Sequence, residues 1–463
     1  MAKQVSDAMN TNERRAMSGL SLVFAFRMLG MFMVLPVLAT YGQELEGATP
    51  LLIGLAIGAY GLTQAVLQIP FGMLSDRIGR MPVIYAGLLI FAAGSAVAAM
   101  ASSIEMIIVG RVLQGAGAIS AAVMALLSDL TREQNRTKVM AAIGMSIGLS
   151  FVVAMVLGPL VTRYFGLSGL FWFTALMALT GMLIMAVWVP KPDHQVKHLD
   201  SGVNPETFSK ILRNGQLLRL DVGIFVLHAL LMASFMALPL ALIEQGGLAR
   251  DEHWWVYLIA MGVGFFAMLP FIIYSEKKRQ IKKVFIGAIA VVLFSQLFFL
   301  WLGTSLALLV VGAVVFFAAF NLLEATLPSL ISKISPAGSK GTAMGVYSTS
   351  QFLGAAVGGI FGGWLFQLAG TNAVFAGCAV LAALWLAFAV NMQEPPYVTS
   401  TRLEVKQAPA LTDDWLKQLR AQSGVMDALY VAEEAAVYVK FDNKRIERAQ
   451  LEQLLASIIG RDR

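Results

Sequence analysis

The chain has 463 residues, of which 58% are hydrophobic and 13% are charged, and its formal net charge is +6. Soluble domains carry about 25% charged residues, so most of this apolar surface must face lipid or other buried helices. The single cysteine, Cys378, excludes an internal disulfide and, by itself, a cysteine cluster for metal.

Twelve apolar runs long enough to cross a lipid bilayer follow one another along the chain. A spanning helix needs about 20 such residues. The first run is too long for the core of a cleaved targeting signal, so we expect it to remain as a helix. The runs lie at about 17–41, 50–72, 81–101, 103–128, 138–162, 167–189, 219–243, 254–274, 284–301, 304–332, 340–367 and 370–392.

Basic residues are distributed unevenly between the loops that join these runs. Of the Lys and Arg in these loops, all except Arg163 and Arg250 lie in the loops on the side of the N-terminus. Because cytoplasmic loops carry the excess of basic residues, both termini are expected in the cytoplasm of a multi-pass membrane protein. The same asymmetry accounts for the positive net charge, so no nucleic-acid partner is expected.

The order of the runs suggests two halves and a separate tail. We expect an N-terminal six-helix bundle at 1–189, a cytoplasmic linker at 190–218 and a C-terminal six-helix bundle at 219–392. Residues 70–77, PFGMLSDR, align without gaps on 270–277, PFIIYSEK. Such matches also arise by chance between apolar sequences. Parallel six-helix repeats build a cavity at the bilayer midplane, between two halves that rock.

The composition changes after Asn391, and a Pro-Pro pair ends the last helix. Residues 397–463 then predict a small cytoplasmic unit in the order β-α-β-β-α, which matches a ferredoxin-like fold without its last strand. It has no paired cysteines, so we expect a regulatory or assembly domain. Its predicted elements are Tyr397–Val405, Leu411–Gln422, Val425–Val431 and Ala435–Phe441, the last two forming a hairpin around Glu433-Glu434, and then Ile446–Ile459.

A short charged stretch, GMLSDRIGR at 72–80, separates the second and third runs. It resembles motif A of the major facilitator superfamily. That resemblance implies an α-helical membrane protein with twelve transmembrane helices in two six-helix bundles, plus the small α+β ferredoxin-like domain. The residues at the family spacing are Gly72, Asp76, Arg77, Gly79 and Arg80.

The resemblance also assigns contacts to this loop. It implies that Asp76 meets the N-terminus of the eleventh helix, near Gly341, when the cavity opens outward. An anion at that place satisfies free N–H groups and the helix dipole. It implies further that Arg80 pairs with Asp129. The alternative is a solvated loop whose arginines only fix the topology.

Two more stretches resemble superfamily motifs. Arg111, Gln114, Gly115 and Gly117 match motif B, which the family links to proton coupling. Gly158-Pro159 partly matches motif C of drug–proton antiporters. Pro159 removes a helix hydrogen bond, so a general packing kink explains this second match as well.

Four ionisable residues lie deep inside predicted helices, namely Arg27, Arg111, His228 and Glu324. A charge there costs about 2.5–3.5 kcal/mol, so it usually faces a cavity or a partner. Arg27 and Glu324 have similar depth and either pair across the cavity or are satisfied separately by polar neighbours such as Asn321. His228 is either a hydrogen-bonded core histidine or a proton carrier.

The run FRMLGMFMVLPVLATYG and the predicted tail resemble the YajR-type drug–proton antiporters within the superfamily. This implies a proton-driven efflux antiporter for a small amphipathic or hydrophobic compound, working as a monomer. We expect no enzyme activity, no metal and no cofactor other than the proton gradient, in a carrier of the cell inner membrane. No phosphate-binding loop of the GxxxxGK type occurs, so ATP is not expected as the direct energy source. The alternatives are a proton-coupled uptake symporter and a non-transporting membrane sensor that signals through its tail.

Overall fold

The structure is a computed structural model that describes residues 9–191, 205–336, 339–405, 414–431, 436–442 and 444–461. Helices dominate this part of the chain, and a small sheet follows them. The helices are α1 Thr11–Phe32, α2 Leu35–Tyr41, α3 Pro50–Ile78, α4 Arg80–Ala99, α5 Ile104–Ala116, α6 Ser120–Asp129, α7 Glu133–Val187, α8 Pro205–Leu212, α9 Gly215–Glu244, α10 His253–Lys277, α11 Ile281–Leu302, α12 Leu306–Ile334, α13 Lys340–Val390, α14 Asp414–Arg420 and α15 Arg448–Arg461. The strands are β1 Thr399–Glu404, β2 Val425–Val431 and β3 Ala436–Phe441.

Local sequence sets where the membrane helices begin. Asn10 caps α1 through a reciprocal pair of bonds with Glu13, a capping box that satisfies two backbone N–H groups. Thr49 caps α3, and Pro50 follows at the first helical position, where its missing N–H costs nothing. Polar residues at these ends therefore terminate the apolar runs cleanly.

The apolar helices give twelve passes, in agreement with the prediction. Ten apolar stretches in the described residues are long enough to cross a membrane. Two of them, Lys138–Val187 and Lys340–Val390, have 50 and 51 residues, enough for two crossings each. Each breaks at a glycine with φ of 68°, Gly166 and Gly370. Positive φ suits glycine, which has no Cβ to clash, so these two residues are the turns between paired passes.

The predicted end of the second helix was wrong. We expected it to stop at 72, but α3 continues to Ile78, and the loop before α4 is the single residue Gly79 with φ of 107°. The side chains of Asp76 and Arg80 pair across this break, and Ser75 Oγ donates to the Gly72 carbonyl at 2.7 Å. The charged residues therefore extend the helix where an apolar count would end it.

The two halves pack alike. Helix α1 packs on α7 in the first bundle, and α9 packs on α13 in the second. Both contacts bring a glycine of the later helix against a main chain of the earlier one, Gly158 against Met33 and Gly358 against Ala229. The predicted linker lies largely in 192–204, outside the described residues, and α8 begins directly after that gap.

The tail forms a three-stranded antiparallel sheet in the order β1-β3-β2. Strands β1 and β2 are therefore parallel with β3 between them, the split β-α-β arrangement of a ferredoxin-like fold. Trp415 and Leu419 of α14 and Leu451 of α15 are buried in its core. The predicted hairpin turn at Glu433-Glu434 and the start of the first tail helix at 411–413 lie outside the described residues.

The tail docks on one end of the second bundle. Lys440 is only 6% exposed and donates to backbone carbonyls at residues 332, 333 and 335, where α12 ends. Asp442 accepts two bonds from Arg279, at 2.6 and 3.1 Å, and Tyr397 Oη accepts from the Ile281 N–H at 3.2 Å. We call this end of the membrane part the tail face and the other end the far face.

Candidate functional site

One large cavity of about 2890 Å³ lies between the two bundles. Its deep walls are mostly apolar, and its polar rim lies at the tail face, where Asp76, Arg132, Lys333 and Lys340 reach it. Tail residues of β1 and α15 line the same mouth. Deep aromatic and methionine side chains in the wall include Phe24, Met28, Met31, Phe32, Phe151, Met232, Met261 and Phe320.

The far face is closed by a glycine seam between α3 and α13. A Cβ on Gly54 would collide with the Gly359 carbonyl, and a Cβ on Gly58 with the Ala356 carbonyl. Without those side chains the two main chains touch directly, as small residues allow at membrane helix contacts. The cavity is therefore open at the tail face and shut at the far face.

Two ion pairs join the bundles at the far face. Arg250 Nη1 lies 2.5 Å from Glu44 Oε1, and Arg163 Nε lies 3.3 Å from Asp251 Oδ2. Each pair takes one residue from each half. The sequence identified both arginines only as exceptions to the charge rule; it gave no signal for their partners, which are distant in the chain.

A polar cluster interrupts the apolar wall in the second bundle. Gln351 Nε2 donates to Glu324 Oε1 at 3.1 Å and lies 2.9 Å from His228 Nε2. His228 Nε2 is 3.9 Å from the second carboxylate oxygen, and its Nδ1 lies 3.3 Å from the Ile224 carbonyl. This cluster places an acid and an imidazole side by side on the cavity wall, so His228 is hydrogen-bonded and also faces the cavity.

Arg27 lies in α1 of the first bundle and is 1% exposed. Its guanidinium donates to Ser120 Oγ at 3.0 Å and to Gln64 Oε1. The pair with Glu324 across the cavity is not formed in this conformation. Each side chain instead makes hydrogen bonds within its own bundle, Glu324 to Gln351 and not to Asn321, while Arg27 Nε and Glu324 Oε2 have no partner among the described residues.

Arg111 forms a second buried network in the first bundle. It donates to the Ala56 carbonyl at 3.2 Å and to Gln114 Oε1 at 2.9 Å, and Gln114 in turn donates to Ser95. Its guanidinium lies 5.1 Å from the centre of the Tyr60 ring, a cation–π distance. Its part in proton coupling stays a prediction.

The four glycine and proline positions predicted beside these motifs lie at helix contacts. A Cβ on Gly115 would collide with the Tyr60 carbonyl of α3, and one on Gly117 with the Gly87 carbonyl of α4. Gly158 meets α1 as described, and Pro159 lies inside α7. These contacts explain why the residues are small; an antiporter role for them stays a prediction.

The motif A residues form a charge network at the tail face. Arg80 donates to Asp76 and to Ser75 Oγ, and its Nε lies 3.4 Å from Asp129 Oδ2, the pair that the resemblance implies. Gly72 lies against Ala121 of α6, and Arg77 is exposed. Asp76 is thus held within the first bundle here, and its contact near Gly341 stays a prediction for the other conformation.

One acid escaped the sequence prediction. Asp221 lies in α9 and is 5% exposed, but the predicted helix began at 219, so this carboxylate was placed at a helix end and not inside. Tyr347 on α13 is 3% exposed and was not singled out either. The burial of both follows from the packing of α9 on α13, which no local pattern reveals.

Two six-helix bundles around one cavity that opens on a single side are the architecture of a membrane transporter. The family model of the Major Facilitator Superfamily matches residues 20–359 and 281–432, and the chain belongs to that superfamily. It is therefore a multi-pass membrane transporter and not an enzyme.

Relatives agree with this membership. The chain is similar to the inner membrane transport protein YajR of Escherichia coli strain K12, 53% identical over 96% of this chain and 98% of the relative. The multidrug resistance protein MdtH of Yersinia pestis is 24% identical over 73% of this chain and 84% of its own. Among solved structures, the nucleoside transporter NupG matches with a TM-score of 0.65 and 15% identity, over 81% of this chain and 99% of that one.

Proposed function

We propose that this transporter is a proton-driven efflux antiporter for a small amphipathic or hydrophobic compound. It works by alternating access as a monomer in the cell inner membrane, with no cofactor other than the proton gradient. The tail face is cytoplasmic, since it carries the excess of basic loops. The conformation described above is then open to the cytoplasm.

The chemistry of the cavity wall supports this substrate class. Ligand sites bury most of a small molecule against apolar and aromatic side chains and use few polar groups for orientation. Methionine adapts its shape to different ligands and is used at promiscuous surfaces. A sugar or a di-acid would need more hydrogen-bond donors than this wall offers. The name of the relative MdtH, a multidrug resistance protein, fits export of such compounds.

One observation carries the proposal of proton coupling, namely Glu324 with Gln351 and His228 on an otherwise apolar wall. The Glu324 side chain is 38% exposed to the cavity, so it meets water when the cavity is open. Desolvation favours the protonated carboxyl, whereas water and hydrogen-bond donors favour the charged form. Alternating exposure therefore lets this group load and release a proton in different conformations.

The test uses Glu324→Gln, which keeps the shape of the side chain and removes its titration. In proteoliposomes with a pH gradient, we expect ethidium, a lipophilic fluorescent cation, to be exported by the wild type and not by the variant, which still binds it. Glu276→Gln is the control, because Glu276 is exposed and paired with Lys333 at the tail face. Equal gradient-driven flux in Glu324→Gln would contradict proton coupling at this residue, and flux in the opposite direction would indicate a symporter.

A further inference from the structure

Six side-chain atoms in the second bundle are buried and have no hydrogen-bond partner among the described residues, and three of them lie on helices α9, α12 and α13. These three are Asp221 Oδ1 on α9, Tyr347 Oη on α13 and Glu324 Oε2 on α12. Buried polar groups are nearly always paired, and an unpaired one costs about 1–3 kcal/mol. Ordered water typically bridges buried groups of this kind.

The packing of α9 on α13 brings Asp221 and Tyr347 to neighbouring levels of the second bundle. The two helices run in the same direction, with Gly354 against Phe225 and Gly358 against Ala229. This register places Asp221 level with residues 347–350. At 1.5 Å per residue, it lies about 10 Å closer to the tail face than His228. Tyr347 is close enough to interact with the charges of both carboxylates.

The described residues include no ion pair to Asp221, and its Oδ1 has no hydrogen-bond partner among them. Arg219 on the same helix turns away and donates to the Phe388 carbonyl. Helix α12 presents Glu324 and α13 presents Tyr347, neither of which is a cation, and Lys210 of α8 is exposed. A buried carboxylate without a partner is costly while charged. Such a carboxylate is suited to bind a proton transiently.

We propose that Asp221, Tyr347 and Glu324 form a proton path through the second bundle, beside the substrate cavity that Tyr347 and Glu324 also line. This rests on the proposed proton coupling at Glu324. The Glu324 carboxyl gives its proton to the Tyr347 hydroxyl oxygen, directly or through water, while the hydroxyl proton passes to the Asp221 carboxylate. The tyrosine keeps its proton count, Glu324 becomes charged and Asp221 neutral. Asp221 then releases the proton to water at the tail face.

The proposed path lets the proton leave Glu324 while substrate fills the open cavity. An apolar substrate that enters from the tail face displaces the water that would otherwise carry the proton away from Glu324. Because Oε2 of that carboxylate is buried although 38% of the side chain is exposed, its proton can leave through the bundle while the substrate occupies the cavity. Proton release and substrate binding can then occur at the same time, because they do not share the opening of the cavity.

The test follows protonated carboxyl groups by their infrared C=O stretch in the purified full-length protein. Between acid and alkaline buffer we expect two buried components, one absent from Asp221→Asn and the other from Glu324→Gln. After an alkaline pH jump with ethidium present, proton release from Glu324 is expected to slow several-fold in Tyr347→Phe. Tyr257→Phe is the matched control, because its hydroxyl is equally buried and unpartnered but lies on α10.

The outcomes separate this path from the proposed function. If Asp221→Asn retains both carboxyl components, or if Tyr347→Phe releases its proton as fast as Tyr257→Phe, the path is wrong. Loss of gradient-driven flux in Glu324→Gln alone would then leave the proposed coupling intact. Wild-type flux in Glu324→Gln would instead overturn the coupling, whatever the infrared bands show.

Discussion

Replacing Arg250 by glutamine removes one of the two ion pairs that join the bundles at the far face. The pair with Glu44 is 2.5 Å long, and the guanidinium also lies 4.0 Å from the centre of the Tyr41 ring. Glu44 and Tyr41 belong to the first bundle and Arg250 to the second. Both contacts therefore break when the far face opens, and they stabilise only the conformation that is closed there.

The size of the effect follows from exposure. The two side chains are 38% and 63% exposed, so the pair contributes about 0.2–1 kcal/mol, as measured for surface pairs. An exposed cation–π contact adds about 0.5–1 kcal/mol. The sum of about 0.7–2 kcal/mol corresponds to roughly a three- to thirty-fold shift in the population ratio toward the conformation open at the far face. Arg163→Gln, which loses only an exposed pair with Asp251, should shift it less.

The assay is the distance between spin labels placed on the far face, one in each bundle. Phe165 and Leu368 are 71% and 62% exposed beside the turns at that face, and Cys378 is buried, so labels can be directed to introduced cysteines. We expect a longer mean distance in Arg250→Gln than in the wild type. Arg219→Gln is the control, since its contact to Phe388 stays within one bundle.

Salt and charge reversal sharpen the test. Ions screen exposed charges over about 8 Å at physiological ionic strength and about 3 Å at 1 M, so high salt should move the wild type part of the way toward the variant. Exchanging the two charges, Glu44→Arg with Arg250→Glu, should restore the short distance. An unchanged distance distribution in Arg250→Gln at low salt would refute the reasoning.

Three further predictions concern the tail face. Asp76→Asn should lower the outward-open population several-fold, because an anion at a helix N-terminus contributes about 0.3–1 kcal/mol. Distances between spin labels across the tail face measure this population. Unchanged distances together with unchanged transport would show that Asp76 is not part of the conformational switch. A chain ended at Glu394 should insert and still bind ethidium with altered turnover, and loss of binding in a folded truncation would place the tail in the site. Arg279 donates hydrogen bonds to Asp442 and holds the pKa of that carboxyl below its usual value. Docking of the tail is therefore stabilised while the carboxylate is charged, and this stabilisation is lost as the pH falls through its pKa. Hydrogen exchange in the tail should rise in acid, and Asp442→Asn should show the faster exchange at every pH.

The sequence predicted the twelve passes well because the bilayer allows few solutions. Every backbone polar group in lipid must be satisfied within a helix, so run length is a strong signal. The end of α3 was predicted too early because polar side chains continue the helix beyond the hydrocarbon. The tail elements were also close to their observed bounds, since β-alternation and helical spacing are local patterns. Only the placement of the tail on α12 required the fold.

The site was only partly predictable, since pairing depends on tertiary contacts. Arg27, His228 and Glu324 stood out as charges inside apolar runs, which is a local signal. Their partners did not, because glutamine and serine are unremarkable in a sequence. Asp221 was missed for the opposite reason. It lies two residues from Arg219 at the edge of an apolar run, where an acid is ordinarily solvated, and only the neighbouring helix buries it.

The glycine seam has a consequence for pharmacology. At Gly54 and Gly58 the closure consists of main-chain atoms in direct contact. A small molecule at the far face therefore finds few side chains to bind in this conformation. With the tail face cytoplasmic, as proposed, a compound that traps the transporter open at that face must therefore first cross the membrane. Membrane-impermeant and permeant forms of one inhibitor scaffold would then select opposite conformations of the same protein.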